Sequence, residues 1–213
     1  MKSLNPKFIK LDSSSRLHHT TVPIIGLTGG IATGKSTAAG IFKKLGFSII
    51  NADELVKKIY SESDSINFIK NIVPSVVKDN VISFPDLRKV FFNDPAIKET
   101  IEKFIYSKLP RKFQEEVQSF PNSSLIIYDV PLLFEKNLQT LVDVSVLVYC
   151  PEEIQVERLV NRDQITRELA QKIIDQQMKI EEKKKKADFI LNNSRSEKQL
   201  AEEINHFLRQ VVI

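Results

Sequence analysis

Five short apolar runs punctuate the chain: Ile24-Ile25-Gly26-Leu27, Phe47-Ser48-Ile49-Ile50, Ser124-Leu125-Ile126-Ile127-Tyr128-Asp129, Val144-Ser145-Val146-Leu147-Val148-Tyr149-Cys150 and Ala187-Asp188-Phe189-Ile190-Leu191. Runs this short, rich in Ile and Val and bounded by turn residues, predict buried strands. The fourth is almost continuously apolar, as an interior parallel strand covered on both faces would be. Between the runs the apolar positions fall three and four apart. Ala38-Ala39-Gly40-Ile41-Phe42-Lys43-Lys44-Leu45 follows that period, stops at Gly46 and predicts a helix after the first strand. Glu197 to Gln210 predicts a closing helix with Leu200, Ile204, Phe207 and Leu208 inward. Strands alternating with helices predict an α/β fold, with a parallel five-stranded sheet flanked by helices.

From Leu55 to Ser119 the alternation lapses into helical spacing cut by Asn71-Ile72-Val73-Pro74, Lys78-Asp79-Asn80, Phe84-Pro85-Asp86 and Asn93-Asp94-Pro95. From Ala96 an apolar stripe of Ile97, Ile101, Phe104 and Ile105 continues to Leu109 and Phe113 across a kink at Pro110. The stretch is too long for a simple crossover, so a helical insertion over 60–120 is expected, walling a second-substrate site. The core is then split into 23–59 and 121–213. Residues 1–22, with polar Asp12-Ser13-Ser14-Ser15-Arg16 and His18-His19-Thr20-Thr21, read as a flexible N-terminal extension. With only His206 elsewhere, the two histidines lack a third partner for a metal.

A chain of 213 residues, 42% hydrophobic, can bury about 70% of its extended surface, so one main domain with insertions is expected. The 31 Lys+Arg against 27 Asp+Glu give a net charge of +4, too small for a nucleic-acid footprint but suited to an anionic small substrate. The single cysteine, Cys150, excludes an intrachain disulfide framework and reads as a buried thiol of a reducing compartment. No run approaches the roughly 18 apolar residues that span a bilayer. The start also lacks a secretory apolar stretch, so a cytoplasmic location without membrane attachment is expected. Monomer and weak homo-oligomer both stand open.

Chemistry enters where the first strand meets the first helix. Gly29-Gly30-Ile31-Ala32-Thr33-Gly34-Lys35-Ser36-Thr37 contains Gly-x4-Gly-Lys-Ser in the strand–turn–helix setting of a phosphate loop. Glycines let successive backbone N–H groups surround a phosphate, and the helix adds its positive end. Lys35 would reach the outer phosphates and the Ser36 hydroxyl would ligate Mg²⁺, which points to ATP or a similar triphosphate. Asp129 ends the third strand as the second acid of phosphate-loop enzymes does, holding Mg²⁺, although any buried strand can end in a carboxylate. Asn51-Ala52-Asp53-Glu54 reads as a capped helix start. Asp53 there is either a ligand-facing acid beyond the second strand or a first-turn acid serving the helix dipole. Val130-Pro131-Leu132-Leu133-Phe134-Glu135 forms a loop whose acid could contact substrate. Arg158 and Arg162 share one helix face ahead of Asp163-Gln164-Ile165-Thr166-Arg167, as a mobile segment delivering positive charge over phosphates would. Thr166 caps a helix from Arg167 to about Glu181, the lid spans about 163–186, and Lys183-Lys184-Lys185-Lys186 reads as exposed surface. These parts together argue for phosphoryl transfer to a small acceptor.

The same residues resemble the dephospho-coenzyme A kinase family, a phosphate-loop kinase type that phosphorylates the ribose 3′-hydroxyl of dephospho-CoA with ATP. The likeness is carried by Gly26 to Thr37, Asn51-Ala52-Asp53, Pro131-Leu132-Leu133-Phe134-Glu135, Arg158-Leu159-Val160-Asn161-Arg162-Asp163, Gln177-Met178 and Ala187-Asp188-Phe189-Ile190-Leu191-Asn192-Asn193, in family order. It implies a nucleotide-binding core, a helical CoA-binding domain and a lid. It also implies that Asp53 orients or deprotonates the acceptor hydroxyl, that Arg158 and the catalytic Arg162 face the nucleotide phosphates, that Gln177 lies in the lid helix, and that Asn193 borders the adenine. The chain departs from the family at Asn51, where an acid is usual, at Tyr106-Ser107, where His-Pro is usual, and at Ser194, where glycine is common. A kinase for another small acceptor, such as a nucleoside monophosphate, and a phosphate-loop ATPase or binding module without acceptor phosphorylation are the alternatives.

Overall fold

The computed structural model describes residues 2–213, and in chain order it builds the following elements. After two short 3₁₀ turns come β1 (Ile24–Gly29), α1 (Lys35–Lys44) and β2 (Ser48–Asn51). Then follow α2 (Ala52–Tyr60), α3 (Ser63–Ile72), β3 (Val77–Lys78), β4 (Val81–Ile82), α4 (Phe84–Asn93), α5 (Pro95–Ser107) and α6 (Leu109–Gln118). The chain closes with β5 (Ile126–Asp129), β6 (Val144–Tyr149), α7 (Glu152–Asp163), α8 (Arg167–Asp175), α9 (Ile180–Lys186), β7 (Phe189–Asn192) and α10 (Glu197–Val211). These elements form two units, one of the residues up to Asn51 with Phe120–Ile213, the other Ala52–Ser119.

In the first unit five strands form a sheet in the order β2-β5-β1-β6-β7, and every pair is parallel. The expected α/β fold and its five strands are all present. Alternate residues serve opposite faces of each strand. On one face Ile25, Leu27, Ile127, Val144, Val146, Val148 and Leu191 meet Phe42 of α1 with Leu200, Ile204 and Phe207 of α10. Full burial of each such side chain contributes about 1.5–3 kcal/mol. Gly26 serves the other face, where a Cβ would stand 3.1 Å from a Leu133 methyl, so the loop after β5 lies directly on the strand. Helix α10 opens with the Ser196–Gln199 capping box, in which each side chain satisfies the other's backbone amide.

The stretch expected as a flexible extension is instead fastened to this unit. Leu4 pairs with Val212 as an isolated bridge, and the Ser3 and Ile213 backbones exchange hydrogen bonds of 3.1 and 2.9 Å. Arg16 is 4% exposed and donates to Asp143, itself 0% exposed, through Nε at 2.8 Å and Nη2 at 3.1 Å. Asp143 also accepts from the Ile24 amide at the start of β1. The polar composition concealed one buried arginine whose partner is 127 positions away.

The second unit begins at Ala52, earlier than the 60 expected, because α2 turns Ile59 and Tyr60 into the same core as Ile69, Leu87, Ile101 and Ile105. Phe68 and Phe104 stack at 3.8 Å within it. Pro110 does not kink one long helix. It stands in the first turn of α6, where its missing N–H removes no intrahelical bond, so α5 stops and a new helix starts. Lys78-Asp79-Asn80, read as a turn, joins the two-residue strands β3 and β4 in an antiparallel hairpin, with Asp79 and Asn80 both at positive φ.

Candidate active site

The phosphate loop runs from the last residue of β1 into α1. Ala32 adopts φ +59° and Gly34 φ +90°, and the Thr33 hydroxyl folds back to donate to the Gly30 carbonyl at 2.9 Å. Gly34 is required by backbone and neighbour alike, Gly30 by its neighbour. A Cβ on Gly30 would meet Gln155 Oε1 at 2.7 Å, and one on Gly34 would meet Asn193 Nδ2 at 2.1 Å. Asn193 is thus a scaffold member of the loop. Its side chain donates to the Thr33 carbonyl at 2.8 Å and its own N–H to the Tyr149 carbonyl at 2.7 Å.

At the mouth of the loop Lys35, in the first turn of α1, forms an ion pair with Asp129. The parallel register sets Asp129 level with Leu27 of β1 and Asn51 of β2, so the acid and the amide come from two adjacent strand ends and the lysine from the helix that follows β1. Asn51 Nδ2 donates to Asp129 Oδ2 at 2.7 Å. An aspartate at 51 would instead oppose two carboxylates, and the asparagine removes that repulsion. Ser36 and Thr37 follow Lys35 in the same turn, Ser36 being exposed. The hydroxyl and carboxylate of Ser36 and Asp129 are hard oxygen donors, the kind Mg²⁺ takes from a protein while substrate phosphates and water supply the rest. No cluster of three acidic, His or Cys side chains suited to a metal exists among the described residues.

The arginines are placed differently from one another. Arg158 Nη2 donates to the Asn193 carbonyl at 2.8 Å and Nη1 lies 3.8 Å from Cys150 Sγ, so this fork braces the loop from behind. Burial pushes the Cys150 thiol up, against the smaller opposing effect of that arginine, as expected of a buried thiol. Arg162 is exposed and clasps the neighbouring Asp163 at 2.7 and 2.9 Å. It is not gathered with Lys35 and Asp129.

The expected lid helix is two helices, α8 and α9. Gln177 lies between them, not within a helix, and its Oε1 accepts from the Ile31 N–H of the phosphate loop at 2.9 Å. Helix α9 is fixed to β6 by Tyr149, whose hydroxyl donates to Glu181 at 2.6 Å. That bond, with burial second, pushes the Tyr149 pKa up to about 12. Of the basic run read as exposed surface, Lys183 is 0% exposed and turns inward, ion-paired with Glu135 at 2.7 Å. Glu135 faces this lysine where a substrate contact was expected. Neither Gln177 nor Lys183 carried a local signal as a loop-binding residue, since a lysine among lysines reads as solvated until the helix is placed. Asp53 belongs to the second unit, exposed in the first turn of α2 and two residues beyond the end of β2.

A family model described as dephospho-CoA kinase matches residues 23–199. A dephospho-CoA kinase of Bartonella quintana is 36% identical over 81% of this chain and 89% of its own length. That of Fusobacterium nucleatum is 34% identical over 90% of this chain and its full length. Among solved structures, the dephospho-CoA kinase from Campylobacter jejuni is 30% identical, covers 88% of this chain and 96% of its own, and superposes with a TM-score of 0.67. A protein of Thermus thermophilus superposes with a TM-score of 0.78 at 28% identity, over 89% of this chain and 97% of its own. The match runs through the phosphate loop, the helical unit and helices α7 to α9 alike, and the chain belongs to the dephospho-CoA kinase family.

Proposed function

We propose that the protein transfers the γ-phosphoryl group of ATP to the ribose 3′-hydroxyl of dephospho-CoA, giving coenzyme A and ADP. The observation that carries this reading is the family match over 23–199, which takes in the Lys35–Asp129 pair and the helical unit together. In the reaction the acceptor oxygen forms a bond to the γ-phosphorus as the bond from that phosphorus to the ADP oxygen breaks. Backbone amides of Gly29 to Thr37 hold the phosphates, and Lys35 exchanges Asp129 for the oxygens that gain charge. Asp53 takes the hydroxyl proton as the new bond forms; full deprotonation beforehand is unnecessary. Ser36 and Asp129 would hold Mg²⁺, which when bound would neutralise charge on the nucleotide phosphates. Arg162, exposed on the lid side, gives up Asp163 for the nucleotide phosphates, while Arg158 with Asn193 keeps the loop in shape. Lid closure excludes water as a competing acceptor.

The test is incubation with ATP, Mg²⁺ and dephospho-CoA, with product identified by mass, beside nucleoside monophosphates as rival acceptors. Coenzyme A formation that falls by about a hundredfold or more in Lys35→Met supports the assignment. Product with a nucleoside monophosphate and none with dephospho-CoA would replace the acceptor.

A further inference from the structure

The ammonium of Lys183 donates to the Gly29 carbonyl at 3.3 Å and to the Pro131 carbonyl at 3.3 Å, and is ion-paired with Glu135 Oε1 at 2.7 Å. Each partner belongs to a different part of the site. Gly29 ends β1 and opens the phosphate loop, Pro131 follows β5, and Glu135 closes the loop that begins there. The Thr28 hydroxyl also donates to the Pro131 carbonyl at 3.1 Å, so the two strand ends are joined twice. Both carboxylate oxygens of Glu135 are buried, and among the described residues Lys183 is the group that balances their charge.

A buried ion pair is a poor device for stability alone, because apolar residues of similar volume often serve as well or better. What the lysine supplies that a leucine or methionine cannot is direction. It aims the peptide at Gly29 and the peptide after Pro131 at one point on α9. We propose that Lys183 is a positioning residue, locking the lid helix α9, the first peptide of the phosphate loop and the Pro131–Glu135 loop into one body. This rests on the kinase reading above. With the lock absent, α9 undocks more readily, the loop's first peptide is no longer fixed during transfer, and water gains access to the phosphoryl group.

The experiment compares wild type with Lys183→Met, Glu135→Gln and the double variant in the full chain, reading coenzyme A formed, ADP released, KM for ATP and urea midpoint. Lys183→Met and the double variant should lose about tenfold or more in kcat, keep KM for ATP within about threefold, and release about twice as much ADP per coenzyme A or more. The double variant leaves no unpaired buried charge, so it tests the idea even where Lys183→Met alone does not fold. A lowered urea midpoint with kcat and the ADP ratio unchanged would mean that Lys183 only packs, and would overturn the assignment. If wild type makes no coenzyme A, the acceptor reading fails on its own. The lock is then judged by amide hydrogen exchange over 176–186 with ADP bound, where about tenfold faster exchange in the double variant supports it and equal exchange overturns it.

Discussion

Gly34 and Asn193 should behave as one element, and the size of their coupling follows from the geometry. Gly34 sits at φ +90°, where an L-residue costs about 1–2 kcal/mol. An added Cβ would also stand 2.1 Å from Asn193 Nδ2, so that amide must leave its bond to the Thr33 carbonyl. Asn193 is 7% exposed and its backbone is held on both sides by the Tyr149 carbonyl and Arg158, so the residue cannot shift as a whole. Leaving the Thr33 carbonyl unpaired costs about 1–3 kcal/mol. Gly34→Ala should therefore destabilise the first unit by about 2–5 kcal/mol, and Asn193→Ala by about 1–3 kcal/mol through the same bond. In the double variant that bond is lost only once. Its penalty should fall short of additivity by about 1–3 kcal/mol. Urea unfolding followed by far-UV circular dichroism measures all three variants, the chain having no tryptophan for fluorescence. Penalties that add to within about 0.5 kcal/mol would show that the two sites act independently and that the close approach is not real.

Asp53→Asn should retain ATP affinity but lose about a hundredfold or more in turnover; wild-type turnover in a purified assay would remove Asp53 as the proton acceptor. Arg16→Met strands the fully buried Asp143 and should cost about 3–5 kcal/mol in urea unfolding, with faster proteolysis before residue 22, whereas an unchanged midpoint would mean the segment is not held by this pair. His18 is pushed from 6.5 down to about 4 by burial and then by the positive charge of His19. From pH 6.5 towards 4 the unfolded chain therefore takes up a proton that the folded chain refuses, so stability is full above this window and declines within it. After allowance for partial exposure the loss at pH 5 should be about 1 kcal/mol, and His18→Asn, which suits the φ of +51°, should flatten urea midpoints across that range.

Local sequence and tertiary placement divide the site between them. The phosphate loop was legible because its glycines, lysine and hydroxyl are consecutive and its strand and helix are adjacent in the chain. Asp129 was legible as an acid at a strand end. That Asn51 would hold its second oxygen was not, because β2 and β5 become neighbours only through the sheet order. The N-terminal segment is fastened for the same reason: composition reports solvation on average and says nothing of one arginine that finds a carboxylate across the fold.

The order of apolar runs and helical periods was enough by itself to set an α/β chain with a phosphate loop between β1 and α1, since both signals act over fewer than about ten residues. Which of four consecutive lysines turns inward, and which arginine braces the loop and which stays outside, were decided only when distant segments met. Burial and pairing are properties of a position in space, and identical side chains in one run acquire different chemistry from the surfaces that close over them.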